Sequence, residues 1–155
     1  MGNDNPMRKS LGVPTDPAAY PFVHQLRVRF AETDAMGVVH HGRYLPYLEA
    51  ARVEYLRAVG RPYLAIRQAG TDFAVIGVDM RYHAPLRFDD QVDVHVCFWS
   101  MSGASFEMAY LLTVDGTRTC TAITGHAALS SVDGSVQRLP TWLQEFGADV
   151  GAKES

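Results

Sequence analysis

One long helical pattern, in a chain whose other patterns are those of β-strands, is the feature that most constrains the fold. From Tyr44 to Val59, apolar residues recur at spacings of three and four, which predicts a helix with one buried face. Pro46 is tolerated only in the first turn and so indicates where the helix begins, while Gly60 followed by Pro62 indicates its end. The positions of the predicted buried face are Leu45, Leu48, Ala51, Tyr55, Leu56 and Val59.

Alternating apolar and polar residues predict β-strands on both sides of this helix. One strand, His24–Phe30, precedes it, and four follow it, at Phe73–Tyr82, Val92–Trp99, Phe106–Val114 and Arg118–Ser131. Asp-Gly pairs after the last two strands predict tight turns, so the four later strands are expected to form an antiparallel meander. A short helix over residues 140–146 is expected to close the domain. The predicted fold is α+β, with one curved antiparallel β-sheet that holds the long helix on its concave face.

Length and composition favour a single soluble domain. A chain of 155 residues can bury a core without disulfides or metals. The predicted domain covers residues 21–146, between an N-terminal arm of residues 1–20 and a C-terminal tail of residues 147–155, both expected to be flexible. The cysteines, Cys97 and Cys120, lie in apolar runs, which favours a reducing cytoplasm as the location. No run approaches the ~18 apolar residues that a membrane span needs.

Basic residues are concentrated in one part of the chain. Residues 24–67 contain seven arginines and four acidic residues, whereas residues 68–155 contain five basic and eleven acidic residues. An excess of this size can contribute to binding a phosphorylated ligand, although local pairing on a solvated surface is the simpler interpretation. The density of positive charge is far below that of a nucleic-acid-binding domain, so no nucleic-acid partner is expected.

The segment between the first strand and the long helix contains the candidate catalytic residues, Asp34, Gly37, His41 and Gly42. The free amides of a helix N-terminus can stabilise an oxyanion, and a carboxylate beside them can act as a nucleophile or a general base. His41 adds an imidazole, which titrates near neutral pH. On residue chemistry alone, a turn or N-cap role is the simpler interpretation of Asp34.

A longer motif in this segment resembles a known family. The sequence Asp34-Ala-Met-Gly-Val-Val-His-His41, followed by Tyr44-Leu and Glu49-Ala-Ala-Arg52, is similar to hotdog-fold acyl-CoA thioesterases of the 4-hydroxybenzoyl-CoA thioesterase and Tol–Pal-cluster type. The resemblance extends from about residue 23 to residue 139 and includes a second run with a tyrosine, a proline and an acidic turn, at residues 80–90. It implies the hotdog fold and the hydrolysis of an acyl-CoA thioester to a free carboxylic acid and coenzyme A.

The resemblance also implies roles for the matching residues. Asp34 corresponds to the carboxylate that attacks the thioester or activates water. The backbone amides of His41 and Gly42 correspond to the groups that polarise the thioester carbonyl, and the ring of His41 is expected to assist. Two departures concern substrate choice: Met36 replaces a small residue that is frequent in these relatives, and Phe30 replaces a frequent tyrosine.

The same resemblance predicts the substrate contacts and the assembly. Contacts with the substrate are expected from Val39, Arg43 and Tyr44. Independently of the resemblance, Arg43, Arg61 and Arg87 are candidates for contacts with the phosphates of coenzyme A, on their expected exposure alone. No cofactor or metal is expected, because coenzyme A is part of the substrate and thioester cleavage needs neither. The protein is expected to be a homodimer or a homotetramer with its active sites at the protomer interface.

Several alternatives stay open at this stage. Glu49 is a rival catalytic carboxylate, although an ion pair with Arg52, three residues later, is the simpler interpretation. His40 beside His41 does not indicate a metal site, because no second ligand pair has suitable spacing. A hotdog enoyl-CoA hydratase or dehydratase that uses Asp34 and His41 as an acid–base pair is the second candidate activity. A non-catalytic acyl-CoA-binding module is the third.

Overall fold

One long helix and five β-strands make up half of residues 9–146, the part of the chain that the computed structural model describes. In chain order, the elements are β1 Phe22–Arg27, α1 Tyr44–Ala58, α2 Tyr63–Gln68, β2 Thr71–Tyr82, β3 Gln91–Ser102, β4 Ser105–Val114 and β5 Thr117–Ser130. A further helix, α3, occupies residues 141–146. The predicted order of one strand, one long helix and four strands is confirmed, and so is the α+β class.

α1 lies where its sequence pattern predicts. It begins at Tyr44, so that Pro46 falls in the first turn, and it ends at Ala58, just before Gly60 with a φ of 80°. The buried residues of α1 recur at spacings of three and four, and they are Tyr44, Tyr47, Leu48, Ala51, Tyr55 and Leu56. Leu45 is an exception to the prediction, because the two tyrosines take the inward positions of the first turns and leave Leu45 exposed.

The strands form one antiparallel sheet in the order β1-β3-β4-β5-β2. The last three strands of the chain form the predicted meander, and the β4–β5 turn places Asp115 and Gly116 at the positive φ angles that a tight hairpin needs. The prediction that β2 also belongs to this meander is wrong, since β2 pairs with β5 at the opposite side of the sheet from β1. The connection from β2 to β3 contains Pro85, which has no N–H to donate to a β-sheet hydrogen-bond ladder. In this connection the carbonyl of Leu86 instead accepts a hydrogen bond from the segment before α1.

Two further predictions differ from the structure. β1 ends at Arg27 rather than at Phe30, because the chain then turns into a short 3-10 helix at Phe30–Glu32. The helix α2 is absent from the sequence-based prediction. It has only six residues, of which Ile66 is buried, so its apolar periodicity is too short to detect.

The two faces of the sheet are covered by different parts of the chain. Alternate residues of β3 and β4 are fully buried against α1, and they are Val92, Val94, Val96, Met108, Tyr110 and Leu112. On the opposite face, Cys97 and Leu111 pack with Val13 and Tyr20. Residues 9–20 of the predicted arm are therefore anchored to the sheet, while residues 1–8 and the predicted tail at 147–155 lie outside the described residues. None of the helices in the described range is long and apolar enough to cross a membrane.

Candidate active site

The segment between β1 and α1 contains a tight turn around Asp34. The N–H of Asp34 donates to the carbonyl of Val38 at 2.8 Å, and the N–H of Gly37 donates to the carbonyl of Asp34 at 3.0 Å. Gly37 has a φ of 77°, in the left-handed region that favours glycine. This turn therefore depends on a glycine four residues before His41.

Backbone hydrogen bonds hold both sides of the turn in place. The N–H of Val39 donates to the carbonyl of Leu86 at 2.7 Å, which ties the segment to the β2–β3 connection. The N–H of His40 donates to the carbonyl of Glu32 at 3.0 Å, which ties the segment to its own beginning. The turn is thus fixed between two stretches of chain before α1 starts.

Asp34 has an exposed side chain with two distinct carboxylate oxygens. Oδ1 accepts hydrogen bonds from the N–H groups of Met36 at 2.8 Å and Val38 at 3.4 Å, and so stabilises the turn. Oδ2 accepts no hydrogen bond from the described residues. The turn role of Asp34 is therefore present, and it leaves one carboxylate oxygen available to another group.

The residues just before α1 form a single turn of 3-10 helix, His41–Arg43, with His40 as its N-cap. Nδ1 of His40 accepts the N–H of Gly42 at 3.1 Å, and the rings of His40 and His41 lie 4.2 Å apart. The N–H of His41 donates no hydrogen bond within residues 9–146. Of the two amides predicted to face a thioester carbonyl, that of His41 is available and that of Gly42 is engaged by His40.

The three residues predicted to contact substrate differ in their exposure. Val39 and Tyr44 are buried, and Arg43 is exposed. The ring of Tyr44 packs edge-on against Tyr82 at 5.0 Å, and burial raises the pKa of Tyr44 to about 12. The hydroxyl of Tyr82 in turn donates to the carbonyl of His41 at 3.5 Å. Val39 and Tyr44 therefore support the candidate site from the core, and no hydrogen bond joins Asp34 to His41 within the described chain.

Two residues that the sequence-based prediction did not include organise this site. The carboxylate of Glu32 is buried and accepts the hydroxyl of Tyr47 on α1 at 2.8 Å. The same oxygen accepts the N–H of Arg29 at 2.8 Å. Burial alone would raise the pKa of Glu32, but the hydrogen bonds from Arg29 and Tyr47 outweigh it and lower the pKa. A glutamate in a polar loop carries no sequence signal of burial, because its partner on α1 is distant in the chain.

The rival carboxylate, Glu49, is exposed on α1. The predicted ion pair between Glu49 and Arg52 does not form. Arg52 instead donates to the hydroxyl of Tyr110 on β4 at 3.2 Å. No group of three or more His, Cys, Asp and Glu side chains in residues 9–146 could hold a metal ion.

The arginines proposed to bind phosphate lie at both ends of α1. Arg43 directly precedes the helix, and the bridge between Val38 and Arg87 places Arg87 beside the Asp34 turn. Arg61 follows the helix and lies over the ring of Trp142 at 5.2 Å. Two of the three candidates therefore flank the candidate active site.

The two departures from the family pattern are both highly exposed. Met36 in the Asp34 turn is 82% exposed, and Phe30 is 76% exposed. The ring of Phe30 packs edge-on against Phe88 at 5.7 Å. The segment that carries Asp34 therefore has exposed apolar side chains, which a substrate or a second protein chain can cover.

Comparisons with known proteins agree with this fold. The sequence model of the Thioesterase-like superfamily matches residues 28–147. The crystal structure of a hypothetical protein from Aquifex aeolicus is 33% identical, covers 81% of this chain and 98% of its own, and superposes with a TM-score of 0.77. A probable thioesterase from Bartonella henselae is 28% identical over 77% of this chain and 98% of its own, with a TM-score of 0.72. The acyl-CoA thioester hydrolase YbgC of Escherichia coli O6:H1 is 36% identical over 80 residues, which are 52% of this chain and 60% of that protein.

The fold and these similarities define the class of protein. One curved antiparallel sheet around a long helix is the architecture shared with the solved thioesterase structure. The chain belongs to the thioesterase-like superfamily, whose model matches most of its length. The expectations of a hotdog fold and of a thioester hydrolase are confirmed.

Proposed function

We propose that this protein hydrolyses acyl-CoA thioesters and that Asp34 is its catalytic carboxylate. The observation that carries the proposal is the pairing of two available groups around one turn. Oδ2 of Asp34 accepts no hydrogen bond from residues 9–146, and the N–H of His41, in the 3-10 turn just before α1, donates none. A relative named as an acyl-CoA thioester hydrolase supports coenzyme A as the carrier of the acyl group.

The two groups have complementary tasks in the proposed reaction. The N–H of His41 donates to the thioester oxygen as it becomes an oxyanion, and the N-terminal end of α1 adds a favourable dipole. In one route, Oδ2 of Asp34 attacks the carbonyl carbon, the C–S bond breaks, coenzyme A leaves as a thiolate, and water hydrolyses the resulting anhydride. In the other route, Asp34 takes a proton from the water that attacks the same carbon. Both routes yield a carboxylic acid and coenzyme A.

The ring of His41 has a secondary place in this proposal. It lies 4.2 Å from the ring of His40 and forms no hydrogen bond within the described residues. The neutral imidazole can orient a water or donate to the substrate, whereas the amide acts whatever side chain is present. His41→Ala therefore separates the ring from the amide, and partial activity of this variant would assign the essential contribution to the amide.

We also propose that the active form is a homodimer built through the edge strand β2. This strand has 12 residues and carries exposed apolar side chains at Val75, Ile76 and Val78. A long apolar edge is a template for pairing with a second chain, and such pairing would extend the sheet and bury these side chains. The molecular mass of the protein in solution distinguishes a homodimer from a homotetramer.

The proposed place of action is the reducing cytoplasm. Cys97 and Cys120 are both buried, and neither forms a disulfide within the described residues. Burial raises the pKa of Cys120 to about 12, so this side chain remains a thiol. A pair of buried thiols in the sheet is compatible with a reducing compartment.

The decisive experiment compares Asp34→Asn with the wild-type protein in a thiol-release assay across acyl-CoA substrates. Asparagine keeps the Oδ1 acceptor of the turn and removes the charge, so we expect a folded variant whose kcat is lower by about 100-fold or more. The matched control is Asp115→Asn, in the exposed β4–β5 turn, where a φ of 49° suits asparagine. This control is expected to keep wild-type activity.

Other outcomes of the same assay would contradict the proposal. Near-normal turnover by Asp34→Asn would exclude this carboxylate. Addition of water to crotonyl-CoA without thiol release would indicate a hydratase. Tight binding of acyl-CoA without any turnover would indicate a binding module.

A further inference from the structure

A cavity of about 430 Å³ lies between α1 and the sheet, on the side of the edge strand β2. Its walls are mainly apolar, and the apolar side chains that line it are Val53, Leu56, Phe73, Val75, Phe106 and Met108. Arg52 and His126 also line it. A largely apolar cavity with a few polar groups is the usual form of a small-molecule binding site.

Arg52 is the unusual residue of this cavity. It is half-buried on α1, and one of its nitrogens donates to the hydroxyl of Tyr110 at 3.2 Å. No carboxylate in the described residues forms an ion pair with it, in contrast to the arginines Arg27, Arg29, Arg57, Arg67 and Arg81. A guanidinium has five N–H donors, so most of the hydrogen-bonding capacity of Arg52 has no partner within residues 9–146.

A buried chain of neutral groups supports the position of Arg52. The hydroxyl of Tyr110 lies 2.8 Å from Oγ1 of Thr124, which lies 2.8 Å from Nε2 of His126. Burial, and then the positive charge of Arg52, lower the pKa of His126 to about 3. The imidazole is therefore neutral near pH 7, and the cluster carries the single positive charge of Arg52.

The remaining charged group at this cavity is Glu49. It also lines a neighbouring hollow with His24, Pro46 and Ala50, and it is exposed to solvent. Water screens the charge of an exposed carboxylate far more than that of a half-buried guanidinium. The positive charge of Arg52 therefore acts more strongly in the cavity than the negative charge of Glu49, and the cavity favours an anion.

We infer that this cavity receives the distal end of the acyl group and that Arg52 binds a carboxylate there. The substrates that this site would favour are coenzyme A thioesters of dicarboxylic acids. The inference rests on the proposed function, because it adds the identity of the acyl group to the same reaction. A carboxylate is the best complement to a planar guanidinium in a cavity with apolar walls, since it accepts two parallel hydrogen bonds.

The helix α1 relates this cavity to the catalytic turn. At 1.5 Å per residue, Arg52 lies roughly 12 Å along the helix axis from Tyr44, the first residue of α1, and His41 lies in the 3-10 turn just before it. Side chains of a helix tilt toward its N-terminus, which brings the guanidinium of Arg52 nearer to the His41 amide. A medium-length acyl chain therefore suits the remaining separation better than a very short one.

The test compares thioesters of equal carbon number with and without a terminal carboxylate. Adipoyl-CoA is compared with hexanoyl-CoA, and succinyl-CoA and suberoyl-CoA extend the series. We expect kcat/KM for adipoyl-CoA to exceed that for hexanoyl-CoA by about tenfold or more, with a smaller advantage for succinyl-CoA over butanoyl-CoA. Equal values for adipoyl-CoA and hexanoyl-CoA would overturn the assignment.

Variants of Arg52 test whether its charge causes the preference for adipoyl-CoA over hexanoyl-CoA. Arg52→Met keeps an apolar stem of similar length and is expected to lower the adipoyl-to-hexanoyl ratio by about tenfold, while Arg52→Lys retains part of the preference. Arg57→Met is the matched control, because Arg57 lies on the same helix and pairs with Glu54 on the surface. This control is expected to keep the wild-type ratio. If Arg52→Met does not fold, the wild-type ratio and Arg52→Lys still decide the question.

The outcomes separate this inference from the proposed function. No hydrolysis of either thioester would overturn the proposed function and the inference with it. Hydrolysis of both at equal kcat/KM, lost in Asp34→Asn, would leave the proposed function standing and overturn the assignment of Arg52 alone. A preference for 4-hydroxybenzoyl-CoA over benzoyl-CoA, without a preference for adipoyl-CoA, would show that the cavity binds a neutral hydroxyl and would also overturn it.

Discussion

The hydroxyl of Tyr47 on α1 donates a hydrogen bond of 2.8 Å to the buried carboxylate of Glu32 in the segment before the helix. The backbone carbonyl of Glu32 accepts the N–H of His40, so the same residue joins the helix to the turn that carries the candidate site. A single buried glutamate therefore sets the position of the Asp34 turn relative to α1. We assign Glu32 and Tyr47 a positioning role, since no contact with substrate is required of them.

Removal of the Tyr47 hydroxyl is predicted to destabilise the protein. In Tyr47→Phe, the carboxylate of Glu32 stays buried and loses a donor, which is expected to lower the free energy of unfolding by about 1–3 kcal/mol. Urea denaturation measures this loss. The control is Tyr63→Phe, whose hydroxyl bonds to Asp72 nearer the surface and whose loss is expected to be smaller. Equal losses in the two variants would contradict the special position of the Glu32 carboxylate.

The parts of the fold that could be predicted from the sequence are those with local causes. The bounds of α1 follow from apolar spacing, from Pro46 and from Gly60, which all act within a few residues. The position of β2 in the sheet has no such signal. Val75 of β2 pairs with His126 of β5, and alternation along a strand does not identify its neighbour in the sheet.

The candidate site shows the same limit. Asp34 and His41 lie in one motif, so the sequence could predict both together with the glycine between them. The burial of Glu32 depends on Tyr47, which lies 15 residues later in the chain, and on a turn geometry that brings them together. The cavity beside Arg52 is even harder to predict from the sequence, because α1, β2, β4 and β5 all contribute to it.

The buried imidazole of His126 predicts a dependence of stability on pH. Its pKa falls from 6.5 to about 3 on folding, so the unfolded chain binds a proton that the folded chain rejects between these values. This residue therefore makes the protein less stable as the pH falls below 6.5, by up to about 1.4 kcal/mol per pH unit. Urea denaturation between about pH 7 and about pH 4 measures this slope.

A variant without the imidazole isolates this effect. In His126→Gln, the free energy of unfolding is expected to change less with pH than in the wild-type protein. The difference in this free energy between the wild-type protein and the variant should therefore decrease as the pH falls. Leu143→Val removes a methylene from a fully buried residue and serves as the control. Leu143→Val is expected to lower the free energy of unfolding by the same amount at every pH. An unchanged slope in His126→Gln would contradict the neutral, buried state of this histidine.

The N-cap formed by His40 gives another prediction. In His40→Ala, the N–H of Gly42 loses its acceptor, and we expect the free energy of unfolding to fall by about 0.5–2 kcal/mol. His40→Asn provides a strong N-cap and is expected to stay close to the wild-type protein. Thermal or urea unfolding of both variants measures the difference. Equal destabilisation by Ala and Asn would show that the ring contact with His41, and not the cap, is what His40 contributes.

A charge on the exposed edge of β2 is predicted to disrupt the proposed homodimer. Ile76 is 64% exposed and lies at the irregularity in the pairing of β2 with β5. Ile76→Lys places a positive charge on an edge that would otherwise pair with its copy, where the two charges repel each other across the two-fold axis. Light scattering after size-exclusion chromatography is expected to give twice the monomer mass for the wild-type protein and the monomer mass for the variant. Val132→Lys is the control, since Val132 is 90% exposed in the turn after β5, and it is expected to keep the wild-type mass. A monomeric wild-type protein, or an intact dimer in Ile76→Lys, would contradict assembly through this edge.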